Sequence, residues 1–219
     1  MISAIFFDLD GTLADTAYDL GNALNQLRRN AHLSDLPYET IRPIAGLGAR
    51  GLLKLGFNMD ENHADYRTMR ENYLTAYDAC FDQNPLLFDG IVDVLNQIQE
   101  KSLIWGVITN KPQRFTDRLL PLLPFPTKPH IAVSGDTLSQ SKPSPEPLLY
   151  AASECRVLPS DCWYIGDSYT DIQAACAAGM KSGAALWGYI PENEQPQQWQ
   201  ADALFSNPQD LLPIIQQAG

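Results

Sequence analysis

Four short apolar runs punctuate the chain, and each ends in polar residues. Ile2–Phe7 ends at Asp8, Leu103–Ile108 at Thr109-Asn110, Ile131–Val133 at Ser134-Gly135-Asp136, and Cys162–Ile165 at Gly166-Asp167. Runs this short and this continuous suit strands buried on both faces. Between and after them the apolar period becomes helical. Ile91, Val94, Leu95 and Ile98 fall at i, i+3, i+4 and i+7. Leu148, Leu149, Ala152 and Cys155 form a second stripe, and Ile172, Ala175 and Cys176 a third, with Gly179 expected as its C-terminal cap. Strands alternating with helices predict an α/β fold, a parallel sheet core with helices on both faces.

From about Thr16 to Asp82 this alternation stops, and no strand pattern is visible. Leu20, Ala23, Leu24 and Leu27 make a helical stripe, Gly46-Leu47-Gly48 is a break, and Ala49–Leu55 and Glu61–Phe81 read as further helices. The expected organisation is a core of residues 1–15 and 86–219 with a small all-helical domain, residues 16–85, inserted after the first strand. Its hinges would lie near Asp15–Ala17 and near Gln83–Phe88, where Pro85 fits the second. Pro121 to Pro129 holds four prolines and reads as loop. Glu192–Gln200 also reads as loop, with Trp199 as its anchor.

At 219 residues and 45% hydrophobic content, the chain can bury a substantial core. No apolar run reaches the roughly 18 residues of a membrane span. The N-terminal apolar stretch has no basic flank and soon meets an acid, so no secretory signal is expected and the expected location is cytoplasmic. A net charge of −11 without a Lys/Arg cluster argues against nucleic acid as a partner. Cys80, Cys155, Cys162 and Cys176 show no zinc spacing, and His32, His63 and His130 are scattered, so ordinary buried thiols and histidines are expected.

The chemistry concentrates where the apolar runs end. Asp8 and Asp10, two residues apart in Asp8-Leu9-Asp10-Gly11-Thr12, stand just past the first run, at the edge where α/β sheets open their ligand sites. Two carboxylates there can divide phosphoryl transfer: Asp8 attacks and Asp10 moves the proton. Asp8 must then be ionised beside a cation, while Asp10 needs neighbours that raise its pKa. Thr109 and Asn110 offer a hydroxyl and a backbone N–H to phosphoryl oxygens. Lys142, just before Pro143 and a helix start, can point at a phosphate and lower the pKa of Asp8. Asp167 can complete a magnesium site with Asp8 and one backbone carbonyl, and Asp171 is spaced to orient a metal-bound water or Lys142. Each constellation alone has a structural explanation as a turn, cap or solvated charge. Their common position at strand ends, in chain order, favours one shared site. An acidic protein acting on a phosphate needs a metal ion and local cations to reverse the sign at that site.

This succession, Asp-x-Asp-Gly-Thr, then Thr-Asn, then Lys-Pro, then Gly-Asp-Ser-x-x-Asp, resembles the haloacid dehalogenase superfamily over nearly the whole chain. The resemblance implies a Rossmann-like core and makes the helical insert that family's cap. It implies Asp8 as nucleophile, Asp10 as acid/base that also lends its backbone carbonyl to Mg2+, and Thr109 and Lys142 as phosphoryl ligands. Asp167 would ligate the metal and Asp171 would support it from the outer shell. The acid at Asp10 sets the chain apart from the dehalogenases and phosphonoacetaldehyde hydrolases of the superfamily. Among its phosphatases the chain is similar to the phosphoglycolate phosphatase group. Trp105–Pro112 and Trp187-Gly188-Tyr189-Ile190 look more specifically like the N-acetylmuramic acid 6-phosphate phosphatases. The implied substrate is a small phosphorylated metabolite, taken by a monomer or homodimer. A sugar phosphomutase on the same core, and a non-catalytic phospho-ligand binder, are the alternatives. Arg50, beside Gly48 in the insert, is the residue expected to hold an anionic group of the substrate.

Overall fold

The computed structural model describes residues 2–81 and 86–217. The first strand, β1 (Ala4–Phe7), is wholly buried and lies at the centre of a six-stranded sheet. Ile5 and Phe7 point to one face, Ala4 and Phe6 to the other, as the two-residue period of a strand requires. After β1 come β2 (Ala14–Asp15) and four helices: α1 (Ala17–Asn30), α2 (Tyr38–Ala45), α3 (Gly48–Phe57) and α4 (Tyr66–Asp78). The chain then passes through β3 (Leu86–Leu87), α5 (Ile91–Glu100), β4 (Ile104–Ile108), α6 (Gln113–Leu119) and β5 (Ile131–Val133). It ends with α7 (Glu146–Glu154), β6 (Cys162–Gly166), α8 (Tyr169–Ala178), β7 (Lys181–Ala185), β8 (Ala203–Phe205) and α9 (Leu212–Gln216).

The sheet order is β5-β4-β1-β6-β7-β8, and every pairing in it is parallel. The chain leaves β1 to one side for β4 and β5 and returns to the other side for β6. The sheet therefore has its topological switch at β1, where α/β proteins form ligand crevices. Helices α5, α6 and α9 contribute Ile91, Val94, Leu95, Ile98, Phe115, Leu119 and Ile215 to one face. On the other, α7 and α8 contribute Leu148, Ala151, Ala152, Ala174 and Ala175. The expected sheet with helices on both faces is the observed architecture.

Some expectations need correction. Leu149 is exposed because the inward set of α7 is Leu148, Ala151 and Ala152, one position away around the helix. Cys155 caps that helix half-buried, and Cys176 is exposed beside the inward-facing Ala174, Ala175 and Ala178. Of the four thiols only Cys162 is fully buried. Residues 121 and 122 complete a short 3-10 turn (Leu120–Leu122) before the proline loop begins. Residues 61–65 form turns rather than the start of α4. Two strands, β7 and β8, escape the periodicity altogether. A Cβ on Gly183 of β7 would come within 2.5 Å of the Phe205 ring and 2.6 Å of Ile165. Side chains of neighbouring strands already fill that space, so β7 is built of small residues with little apolar signal. The ribbon of β2 and β3, antiparallel between Ala14 and Leu87, likewise has no counterpart in the periodicity.

The helical segment buries Leu20, Ala23, Leu24, Leu27, Leu52, Leu53, Tyr73 and Leu74 in a cluster continuous with Ile5 and Phe7 of β1. Gly48, at φ +58°, is the last residue of the expected break and opens α3. Gly179, at φ +71°, terminates α8 in the left-handed conformation that suits glycine. The second hinge expected near Gln83–Phe88, with Pro85, falls partly outside the described residues. Trp199 anchors its loop by packing with Ile172 and Ala184 and donating its indole N–H to Glu194 Oε2 at 3.0 Å. No helix among the described residues is long and apolar enough to cross a membrane.

Candidate active site

The register of the three central strands brings the sequence motifs together. Phe7 of β1 pairs with Val107 of β4 and Ile165 of β6, so Asp8, Thr109 and Asp167 follow on neighbouring strand ends. Asp8, Asp10, Thr109, Asn110, Lys142 and Asp167 all line one cavity of about 720 Å³, and Arg50 lines it from α3. Asp171 lies fully buried beneath.

Asp8 Oδ1 accepts the backbone N–H of Leu9 at 2.8 Å and sits 2.9 Å from Lys142 Nζ. The same ammonium donates to Asp171 Oδ1 at 2.7 Å and to the Tyr164 hydroxyl at 2.7 Å. Asp171 Oδ2 is taken by the N–H and hydroxyl of Ser168, forming the capping box of α8. Asp171 is thus committed to holding Lys142 and capping a helix. Asp167 accepts the Thr12 hydroxyl on Oδ1 at 3.0 Å and the Tyr189 N–H on Oδ2 at 2.7 Å.

This cluster is short of positive charge. Burial pushes the Asp8 carboxyl up from 3.8 to about 6, Lys142 opposes the rise, and Asp171 adds to it. Burial, then Asp8 and Asp171, push Asp167 well above the ordinary aspartate range. Burial opposes the charge on Lys142, but Asp171 and Asp8 outweigh it and raise its pKa. Oxygens of Asp8, Asp167 and Asp171 lie within 4.8 Å of one another. A hard, all-oxygen set of this kind suits a small divalent cation. With Asp171 already saturated by donors, Asp8 and Asp167 are the pair with capacity left, and the donor chemistry fits magnesium.

Asp10 stands apart from that cluster. Its Oδ1 accepts the Thr16 hydroxyl at 2.6 Å, and its two oxygens lie 3.1 and 3.2 Å from Lys111 Nζ. Lys111 is buried and also donates to the Tyr77 hydroxyl of α4 at 2.6 Å. The sequence motifs assign no role to Lys111. Its only signal is its place directly after Thr109-Asn110. The Asn110 side chain, for which the sequence gives no role, clamps the backbone of Lys142: Nδ2 donates to the Lys142 carbonyl and Oδ1 accepts the Lys142 N–H, both at 3.0 Å. The Thr109 N–H continues the sheet to the Val133 carbonyl at 2.9 Å, which leaves its hydroxyl as the group it can offer. Lys111, Lys142, Arg50 and Arg70 line the cavity together with Asp8, Asp10, Glu61, Asp167 and Glu194, so cationic side chains are at hand for an anion although the lining carries more acids than bases.

Comparison with known proteins identifies the family. The haloacid dehalogenase-like hydrolase family profile matches residues 5–185. The phosphoglycolate phosphatase of Xanthomonas campestris pv. campestris (strain 8004) is 37% identical over 209 residues, covering 95% of this chain and 94% of that protein. The N-acetylmuramic acid 6-phosphate phosphatase of Pseudomonas aeruginosa PAO1 is 34% identical over 218 residues, covering 99% and 96%. A crystal structure described as a predicted phosphoglycolate phosphatase from Haemophilus somnus 129pt superposes with a TM-score of 0.84 over 97% of both chains at 24% identity, a likeness of fold. The chain belongs to the haloacid dehalogenase-like hydrolase family and, within it, to the phosphatases.

Proposed function

We propose that this phosphatase is a magnesium-dependent phosphomonoesterase that works through an aspartyl-phosphate on Asp8. The observation that carries the reading is the separation of two carboxylates into two environments on one cavity. Asp8 faces Lys142 and Asp167, while Asp10 faces Thr16 and Lys111. Asp8 and Asp167, with the Asp10 backbone carbonyl, would hold Mg2+. When bound, the ion neutralises phosphoryl charge and keeps Asp8 ionised. Lys142 and the Thr109 hydroxyl receive the remaining phosphoryl oxygens.

An Asp8 oxygen attacks phosphorus as the bond to the leaving oxygen breaks, and Asp10 gives that oxygen its proton. Asp10 then takes a proton from the water that attacks the aspartyl-phosphate, which releases phosphate and restores both carboxyls. Helices α1–α4, the cap of residues 16–85 in this reading, close the cavity over the substrate and select the leaving group. Names of the relatives favour 2-phosphoglycolate or N-acetylmuramic acid 6-phosphate as substrate.

A kinetic panel of 2-phosphoglycolate, N-acetylmuramic acid 6-phosphate and β-glucose 1-phosphate tests the substrate. Dominance of 2-phosphoglycolate removes the muramic acid branch, and rephosphorylation of a sugar product in place of phosphate release would establish a mutase. EDTA should abolish turnover and Mg2+ restore it. Asp8→Asn should abolish phosphate release from a folded protein, and turnover surviving that change would sink the mechanism.

A further inference from the structure

The segment Trp187-Gly188-Tyr189 has no role in the proposed chemistry, yet it hydrogen-bonds to Asp167 and to the start of α1. It follows β7, and Tyr189 lines the cavity. Helix α1 starts after Thr16, but its N-cap residue makes no capping bond. The Thr16 hydroxyl is diverted to Asp10 Oδ1 at 2.6 Å. Asp15 Oδ1 reaches the Ala17 N–H only at 3.4 Å, and the closer acceptor comes from far along the chain. The Tyr189 hydroxyl accepts the N–H of Thr16 at 2.6 Å and of Ala17 at 2.9 Å, and donates to Asp15 Oδ1 at 2.7 Å. Two acceptor sites and one donor are the full capacity of a phenol.

The other end of the same residue meets the proposed metal ligand, with the Tyr189 N–H donating to Asp167 Oδ2 at 2.7 Å. Neighbours brace the segment on both sides. Arg42 of α2 donates to the carbonyls of Trp187 and Gly188, and the Trp187 indole donates to the Thr12 carbonyl at 3.0 Å.

We propose that Tyr189 is a positioning residue for phosphoryl transfer. Its main-chain N–H orients Asp167, while its hydroxyl caps α1 and so fixes Thr16, the residue that holds Asp10. This role rests on the proposed assignment of Asp10 and Asp167. It makes proton delivery by Asp10 depend on where α1 begins.

The test uses Tyr189→Phe in the full chain, which keeps the ring and the N–H to Asp167. Amide exchange at Thr16 and Ala17, read by hydrogen–deuterium exchange, should quicken about tenfold, the effect of one lost hydrogen bond. Turnover of 2-phosphoglycolate, whose alkoxide must be protonated as it leaves, should fall about tenfold. The first-turnover burst of p-nitrophenolate from p-nitrophenyl phosphate, which reads aspartyl-phosphate formation alone and needs no proton on the leaving group, should change by less than about twofold. Thr16→Val should reproduce that split between substrates, and Thr16→Ser should restore the parent ratio. Unchanged exchange at Thr16 and Ala17, or equal loss on both substrates, overturns the role while leaving the phosphatase mechanism intact. Turnover surviving Asp8→Asn overturns the mechanism and the role together.

Discussion

Asp8 should be a destabilising residue in the metal-free protein, and replacing it by asparagine should reveal the size of that effect. The carboxyl is 14% exposed, lies near Asp167 and Asp171, and has a single lysine ammonium against it. Its pKa rises from 3.8 to about 6, with burial as the largest cause. The native state therefore holds this proton more tightly than the unfolded chain does. Linkage then lowers stability as pH rises from 3.8 to about 6, and the loss is complete at neutral pH. At about 1.4 kcal/mol per pKa step, the rise costs about 3 kcal/mol at pH 7. The asparagine amide in Asp8→Asn can still accept from the Leu9 N–H and Lys142 while carrying no charge. In EDTA at pH 7, Asp8→Asn should melt roughly 5–10 °C above the parent chain, given a few degrees per kcal/mol for a domain of this size. The gap should close as pH falls towards 4. Excess Mg2+ should narrow it from the other side, because a cation at 100 times its Kd stabilises the parent by about 2.7 kcal/mol. Thermal denaturation of both proteins from pH 4 to 7, with EDTA or Mg2+, reads all of this. An asparagine variant that melts at or below the parent in EDTA at pH 7 would refute the electrostatic reasoning.

Gly188→Ala should raise the Mg2+ concentration for half-maximal activity about tenfold or more, as losses in the outer shell of a metal site do. A Cβ there would fall 2.2 Å from the Asp167 Cβ and 2.6 Å from the Gly11 carbonyl, so Asp167 must shift; an unchanged Mg2+ titration would place the metal elsewhere. Lys111→Met removes the cation beside Asp10 and its bond to Tyr77. Turnover of 2-phosphoglycolate should fall about 100-fold, Lys111→Arg should recover part of it, and full activity in Lys111→Met would mean that Asp10 works without that partner. Arg50→Ala, at an exposed position on the cavity wall, should move stability by no more than about 0.5 kcal/mol. It should raise the KM for 2-phosphoglycolate and leave that for p-nitrophenyl phosphate unchanged; equal KM values in variant and parent would remove Arg50 from substrate recognition.

Burial in this protein is written locally wherever one segment carries its own apolar period. The sequence by itself determined β1, β4, β5 and β6, the helical stripes of α1, α3, α4, α5, α7 and α8, and the placing of Asp8, Thr109 and Asp167 just past strand ends and of Lys142 just before α7. Those features need only periodicity and covalent neighbours. Tertiary structure decided the rest. Strand β7 is small because Phe205 and Ile165 occupy its space. The Asn110 side chain serves the backbone of Lys142, Lys111 pairs with Asp10, and Tyr189 caps a helix that starts 172 residues earlier. In each case the deciding partner is distant along the chain. A polar side chain carries no sequence mark of the charge or orphaned N–H that it will meet, because only closing the sheet and seating α1–α4 on it creates that meeting.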